Sequence, residues 1–99
     1  MNYIAIRKLH FLERARALVA CPGGFGTLDE LFDALTLVQT GRIDALPIIL
    51  MDRRFWRRAI DFDVLAEEGV ISPEDIQLMD VVDTAEDALR IIRDFYRMP

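Results

Sequence analysis

Residues 22–30 read Pro22-Gly23-Gly24-Phe25-Gly26-Thr27-Leu28-Asp29-Glu30. A short apolar run, Ala17-Leu18-Val19-Ala20-Cys21, precedes them and reads as a buried strand. An amphipathic helix follows, with Leu28, Leu31, Phe32, Leu35 and Val38 on one face. A strand, a glycine-rich turn and a helix N-terminus in that order make an anion site. The turn leaves backbone N–H groups free, and the helix dipole favours negative charge there. Three glycines let the backbone approach a phosphate without Cβ atoms in the way. The same residues also satisfy a simpler description, a tight strand-to-helix turn with no ligand.

Two phosphate loops are excluded. A Walker A loop requires G-x-x-x-x-G-K-[ST], and no lysine follows Gly26. The dinucleotide fingerprint G-x-G-x-x-G fails because Asp29 occupies the place of its third glycine after Gly24-Phe25-Gly26.

Outward from the turn, the pattern alternates strands and helices. Residues 4–15 read as a helix with Leu9, Leu12 and Ala15 on one side. Strand 17–21 and helix 27–40 follow, with Gly41 as the C-terminal cap. Pro47-Ile48-Ile49-Leu50-Met51 is a continuous apolar run, the mark of a strand covered on both faces. A helix from Phe55 to Glu68 is expected to bury Phe55, Ala59, Phe62 and Ala66 and to stop at Gly69. Ser72-Pro73-Glu74-Asp75 reads as an N-cap with proline at the first helical position. Met79 to Val82 is a third strand. The last helix carries Ala85, Ala88, Leu89, Ile92, Phe95 and Tyr96 on one stripe, with Glu86 and Asp94 each four residues from Arg90. The fold class is therefore α/β, a Rossmann-like parallel sheet with helices on both faces, in one domain spanning residues 1–99. Three strands are few for such a sheet, and strand 17–21 would leave an apolar edge. The chain reads as the back part of a Rossmann-like domain, from a truncated gene product or one whose start was placed late.

Composition narrows the function. The 99 residues are 53% hydrophobic, enough for one small core. A net charge of −5 excludes the broad basic face of a general nucleic-acid binder. The single cysteine, Cys21, forms no intrachain disulfide and is expected in the buried strand. No apolar run reaches a membrane span and no signal peptide is evident, so the expected compartment is the cytoplasm. His10 and Cys21, one of each, do not make a zinc site. His10 reads as a packed or half-exposed helix residue. Arg53, Arg54, Arg57 and Arg58 form either a phosphate patch, a solvated helix face or a subunit contact. Trp56 reads as interface or core.

Glu30 has two readings. Thr27-Leu28-Asp29-Glu30 fits a capping box, with threonine as cap and glutamate reaching back to the cap amide. Three residues of helix also rise about 4.5 Å, which leaves this carboxylate within reach of a ligand whose phosphate sits on the Gly24–Thr27 amides.

The stretch P-G-G-F-G-T-L-D-E resembles the P-G-G-x-G-T-x-x-E signature of the LOG (Lonely Guy) family, phosphoribohydrolases acting on nucleoside 5′-monophosphates. Arg7-Lys8-Leu9-His10-Phe11 is similar to the family's upstream motif of Arg-Lys and an apolar residue, although His10 stands where members often have methionine. The run from Leu31 to Gly41 resembles the longer bacterial members. The resemblance covers nearly all of this chain and the C-terminal part of a family member, which normally begins with a further strand–helix region.

What this resemblance implies is hydrolysis of the N-glycosidic bond of a nucleoside 5′-monophosphate, such as adenosine monophosphate or a cytokinin riboside monophosphate. It implies Arg7 and Glu30 as the catalytic pair. Lys8, the only lysine in the chain, and Gly23, Gly24, Phe25, Gly26, Thr27 and Asp29 would bind the nucleotide. It implies no metal or organic cofactor, and active sites at or near the interface of a homo-oligomer. A guanidinium does not deprotonate, so Arg7 would bind phosphate or polarise the leaving base. A carboxylate at Glu30 would stabilise the oxocarbenium-like ribose or activate water. Related sequences often carry a lysine decarboxylase label; that chemistry needs a Schiff-base lysine for pyridoxal phosphate, and nothing recommends Lys8 for it. The other two readings are a non-catalytic nucleotide-binding module and a subunit-interaction domain with a purely structural turn.

Overall fold

Ile48-Ile49-Leu50-Met51 forms the middle of the molecule because its side chains are apolar on both sides of the pleat. In the computed structural model, which describes residues 16–97, this run is β2 (Ile48–Met51), with its first three residues fully buried. It pairs in parallel with β1 (Leu18–Ala20) on one side and β3 (Met79–Val82) on the other. Leu18 stands opposite Ile48, and Ile48 opposite Met79. Parallel neighbours need crossovers, and the helices supply them.

The pleat sorts the side chains into two layers. Ala20, Ile48 and Leu50 face a core that includes Leu31, Ala34, Ile43, Leu46 and Trp56, with Leu18, Met79 and Val81 packed against it. That layer is closed by α1 (Phe25–Gln39) and α2 (Arg53–Ala59). Ile49 and Val82 face the other way, against Ala88, Ile91 and Ile92 of α4 (Ala85–Tyr96). The parallel sheet with helices on both faces is thus as expected. The helix expected over 4–15 lies outside the described residues, as do Arg7, Lys8 and His10.

Helix ends follow local chemistry. Gly41 and Gly69 adopt φ of +74° and +78°, left-handed conformations that glycine takes without a Cβ penalty. Arg42 N–H then returns to the Leu37 carbonyl at 2.9 Å, and Val70 N–H to that of Leu65 at 3.1 Å. Thr84 caps α4 by accepting from Asp87 N–H at 3.1 Å.

Four expectations need correction. The helix expected over Phe55–Glu68 is two, α2 and α3 (Phe62–Glu67). Ile60 is extended and the Asp61 side chain accepts from Val64 N–H at 3.2 Å, so a new cap competes with continuation. Ala59 is consequently exposed, while Trp56 is 2% exposed and belongs to the core. Cys21 is exposed because β1 ends one residue earlier, at Ala20. In α4 Ala88 is buried, with Ile91 and Ile92 half-buried beside it, leaving Leu89 and Phe95 outside. Arg90 pairs with Asp87 at 3.1 Å rather than with Glu86 or Asp94.

Candidate active site at the carboxyl edge of the sheet

The three strands run the same way, so everything that follows them collects at one edge. In open α/β sheets that edge is where ligands bind. After β1 come Cys21, Pro22, Gly23 and Gly24; after β2, Asp52 and Arg53; after β3, Asp83 and Thr84.

The ends of β2 and β3 are stitched together. Asp52 N–H donates to the Val82 carbonyl at 2.9 Å. Arg53 donates its backbone N–H to Asp83 Oδ1 and its Nη2 to the Val81 carbonyl, both at 2.9 Å. Its Nε lies 3.6 Å from Asp83 Oδ2. Asp52 itself has φ of +82° and caps α2 through Phe55 N–H at 3.3 Å. Sequence reasoning did not single out Asp52 or Asp83. The available signal was a carboxylate placed directly after an apolar strand, in Met51-Asp52 and in Val82-Asp83.

The glycine-rich turn is open by contrast. Helix α1 starts two residues earlier than expected, with Gly24 as its N-cap and no side-chain cap. Its first turn closes with Leu28 N–H on the Gly24 carbonyl at 3.1 Å. The amides of Phe25, Gly26 and Thr27 precede that bond, so they have no intrahelical acceptor. The three glycines of the turn then separate by role. A Cβ on Gly23 would overlap the Thr27 hydroxyl and stand 2.9 Å from Thr27 Cβ, so packing requires glycine there. A Cβ on Gly24 or Gly26 would meet nothing within 4 Å, and neither has positive φ. Nothing in the packing of the described residues requires those two glycines. The space they leave open lies beside unpaired amides, where an anion needs it.

The earlier start of α1 also removes the capping box expected at Thr27 and Glu30. Thr27 is the third residue of the helix, and Glu30 lies in its second turn, exposed. Helical spacing sets Glu30 on the face of Gly26 and Thr27, one turn further along. Asp29 falls on the neighbouring face and is also exposed. Phe25, at the first helical position, is 92% exposed beside the turn. The structure therefore brings Gly23, Gly24, Phe25, Gly26 and Thr27 to one edge, with Asp29 and Glu30 above them. Arg7 and Lys8 lie outside the described residues. Among the described residues no cluster of three or more His, Cys, Asp or Glu could hold a metal ion, and no helix is long and apolar enough to cross a membrane.

The chain is similar to known proteins over most of its length. A family model described as possible lysine decarboxylase matches residues 1–92. The chain is 38% identical to a cytokinin riboside 5′-monophosphate phosphoribohydrolase of Mycobacterium tuberculosis, over 85% of this chain and 46% of that protein. It is 30% identical to the phosphoribohydrolase LOG1 of Arabidopsis thaliana, over 90% of this chain and 42% of that protein. A cytokinin riboside 5′-monophosphate phosphoribohydrolase of Rhodococcoides fascians is 32% identical, over 88% of this chain and 44% of that protein. The chain thus spans a little under half the length of these relatives. The decarboxylase description belongs to the family model, whereas the relatives are named for phosphoribohydrolysis. With the signature on an open strand-to-helix turn and the family model covering nearly its whole length, this chain belongs to the LOG family.

Proposed function

We propose that this chain contributes to hydrolysis of the N-glycosidic bond of nucleoside 5′-monophosphates, giving free base and ribose 5-phosphate. Adenosine monophosphate and cytokinin riboside monophosphates are the substrates. The observation that carries the reading is the open space at Gly24 and Gly26 beside the amides of Phe25, Gly26 and Thr27. The phosphate sits on those amides, at the positive end of a 15-residue helix. Glu30, one turn along and free of any capping duty, faces ribose C1′, where it stabilises positive charge or activates water. Arg7 completes the catalytic pair, while Lys8, Asp29 and the ring of Phe25 bind the nucleotide. The protein works without metal or organic cofactor, in the cytoplasm, and binds neither nucleic acid nor membrane.

Association belongs to the same proposal. Val19, Phe25, Leu89 and Phe95 are exposed apolar side chains, more than a small domain ordinarily presents to water. They support a homo-oligomer, most simply a two-fold dimer. A monomeric mass by light scattering at micromolar concentration would sink that part.

The test of the chemistry is Glu30→Gln in a form of the protein with measurable turnover. Adenine release from adenosine monophosphate is expected to fall on the order of a hundredfold or more, with binding by calorimetry retained. Undiminished release in a well-folded variant overturns the role of Glu30. Binding without release in the unmodified protein favours the alternative, a non-catalytic nucleotide-binding module.

A further inference from the structure

Four arginines and one carboxylate, Asp83, line an open cleft of about 400 Å³ where α2 leaves the sheet. Arg53 is spent on structure: its guanidinium and backbone N–H hold Asp83 and the Val81 carbonyl. That contact also occupies the only carboxylate lining the cleft among the described residues. Arg54, Arg57 and Arg58 enter no ion pair or hydrogen bond among the described residues. The chain does not lack acid, with 17 carboxylates to 12 basic residues. Elsewhere it pairs arginines locally, Arg90 with Asp87 and Arg97 with Asp94.

Arg54 stands three and four residues from Arg57 and Arg58, so its charge neighbours both of theirs across one helical turn. Like charges at that spacing repel and weaken a helix. This helix has only seven residues, Arg53 to Ala59. Of its N-terminal amides, Phe55 N–H is engaged by the Asp52 cap and Arg53 N–H by Asp83, and the cleft is lined by the arginine side chains. Arginine matches phosphate oxygens in a planar fork and keeps its charge at every physiological pH.

We propose that this cleft is a second anion site, apart from the glycine-rich turn, that takes a diphosphate group. One phosphate carries only about −1.5 to −2 charges, short of the three unpaired guanidinium groups; two adjacent phosphates match them. The diphosphate is either free or carried on a nucleoside.

The experiment titrates the 99-residue chain with orthophosphate, pyrophosphate and adenosine diphosphate by calorimetry, and follows arginine Nε–Hε and backbone amide resonances. The comparison is with the triple variant R54Q/R57Q/R58Q, checked for native circular dichroism. Pyrophosphate is expected to bind at least about tenfold more tightly than orthophosphate, and to lose at least about tenfold in the variant. Shifts at Arg54, Arg57 and Arg58 accompany it. Adenosine diphosphate shifting these resonances and the 23–27 amides together identifies a nucleoside diphosphate; shifts at the arginines alone identify the free group. Three results overturn the proposal: equal pyrophosphate affinity in the variant, shifts confined to residues 23–27, or a fall in the variant's mass by sedimentation with no pyrophosphate heat in either protein. The last would make the arginines a subunit contact. None of these outcomes bears on adenine release, which reads the other site.

Discussion

Gly23 lies against the side chain of Thr27 so closely that any Cβ at position 23 would overlap the threonine hydroxyl. The turn between β1 and α1 is thereby wedged shut on its inner side and left open at Gly24 and Gly26. Gly23→Ala is expected to destabilise the chain by about 1–3 kcal/mol, the scale of overpacking. Gly24→Ala, which meets nothing, should stay within about 0.5 kcal/mol. Thr27→Ala on the Gly23→Ala background should recover part of the loss, because the hydroxyl goes and the Cβ remains. Urea unfolding of the four proteins decides it.

Asp52 combines a left-handed backbone with a capping side chain. Asparagine tolerates both demands, and glycine meets the first while losing little as a cap. Alanine meets neither. Asp52→Asn and Asp52→Gly are expected to stay within about 1 kcal/mol of the parent, and Asp52→Ala to lose about 1–2 kcal/mol. An alanine variant as stable as the glycine one would contradict this ordering.

Trp56 is buried, with its Nε1 donating to the Met51 carbonyl at 2.9 Å and its ring edge-to-face with Phe55 at 5.1 Å. Trp56→Phe keeps most of the volume and orphans that carbonyl, a loss of about 1–3 kcal/mol. Trp56→Ala adds a cavity and should lose about 3–5 kcal/mol. Thermal melts followed by circular dichroism measure the difference.

Asp75 joins two distant segments. One carboxylate oxygen accepts from Ser72 N–H at 3.0 Å and from Gln39 Nε2 at 2.7 Å. The Ser72 backbone hydrogen bond first, then that of Gln39, holds its pKa below the usual 3.8. A carboxyl whose pKa is lowered by folding stabilises the native state fully above the unfolded value. That contribution is lost as pH falls through the folded one. The stability gap between the parent and Asp75→Asn is therefore expected to be constant above about pH 5 and to shrink below 3.8. A gap that is unchanged at pH 2.5 would refute it.

Sequence periodicity revealed the three strands and the helices on both faces because parallel strands covered on two faces are written as continuous apolar runs. Met79–Val82 and the Ser72-Pro73 turn fell where local chemistry is unambiguous. The errors came where two local preferences competed. Asp61 restarts a helix that hydrophobic spacing alone would continue through Ile60. Gly24 begins α1 although Thr27 is the better cap by residue type, because the turn at Gly23 already directs the chain into the helix. Leu89 and Phe95 fit an apolar stripe, yet the residues of α4 that pack on Ile49 and Val82 are Ala88, Ile91 and Ile92. The candidate site was legible as a motif. The distinct duties of Gly23, Gly24 and Gly26 were not, since they depend on what a Cβ would touch.

The register has a kinetic consequence. Leu18 pairs with Ile48, and Ile48 with Met79, so each ladder joins residues about 30 positions apart and no pairing is local. The chain must close long loops before any sheet contact repays the lost freedom. Helix α4, whose capped first turn is local, can form early but has nothing to dock on until β2 and β3 are side by side. β1 contributes only three ladder residues and joins a sheet whose other pair is longer. Refolding is therefore expected to order β2, β3 and α4 first. The glycine-rich turn, hung on the end of β1, would be the last part of the edge to take shape and the first to exchange its amide hydrogens.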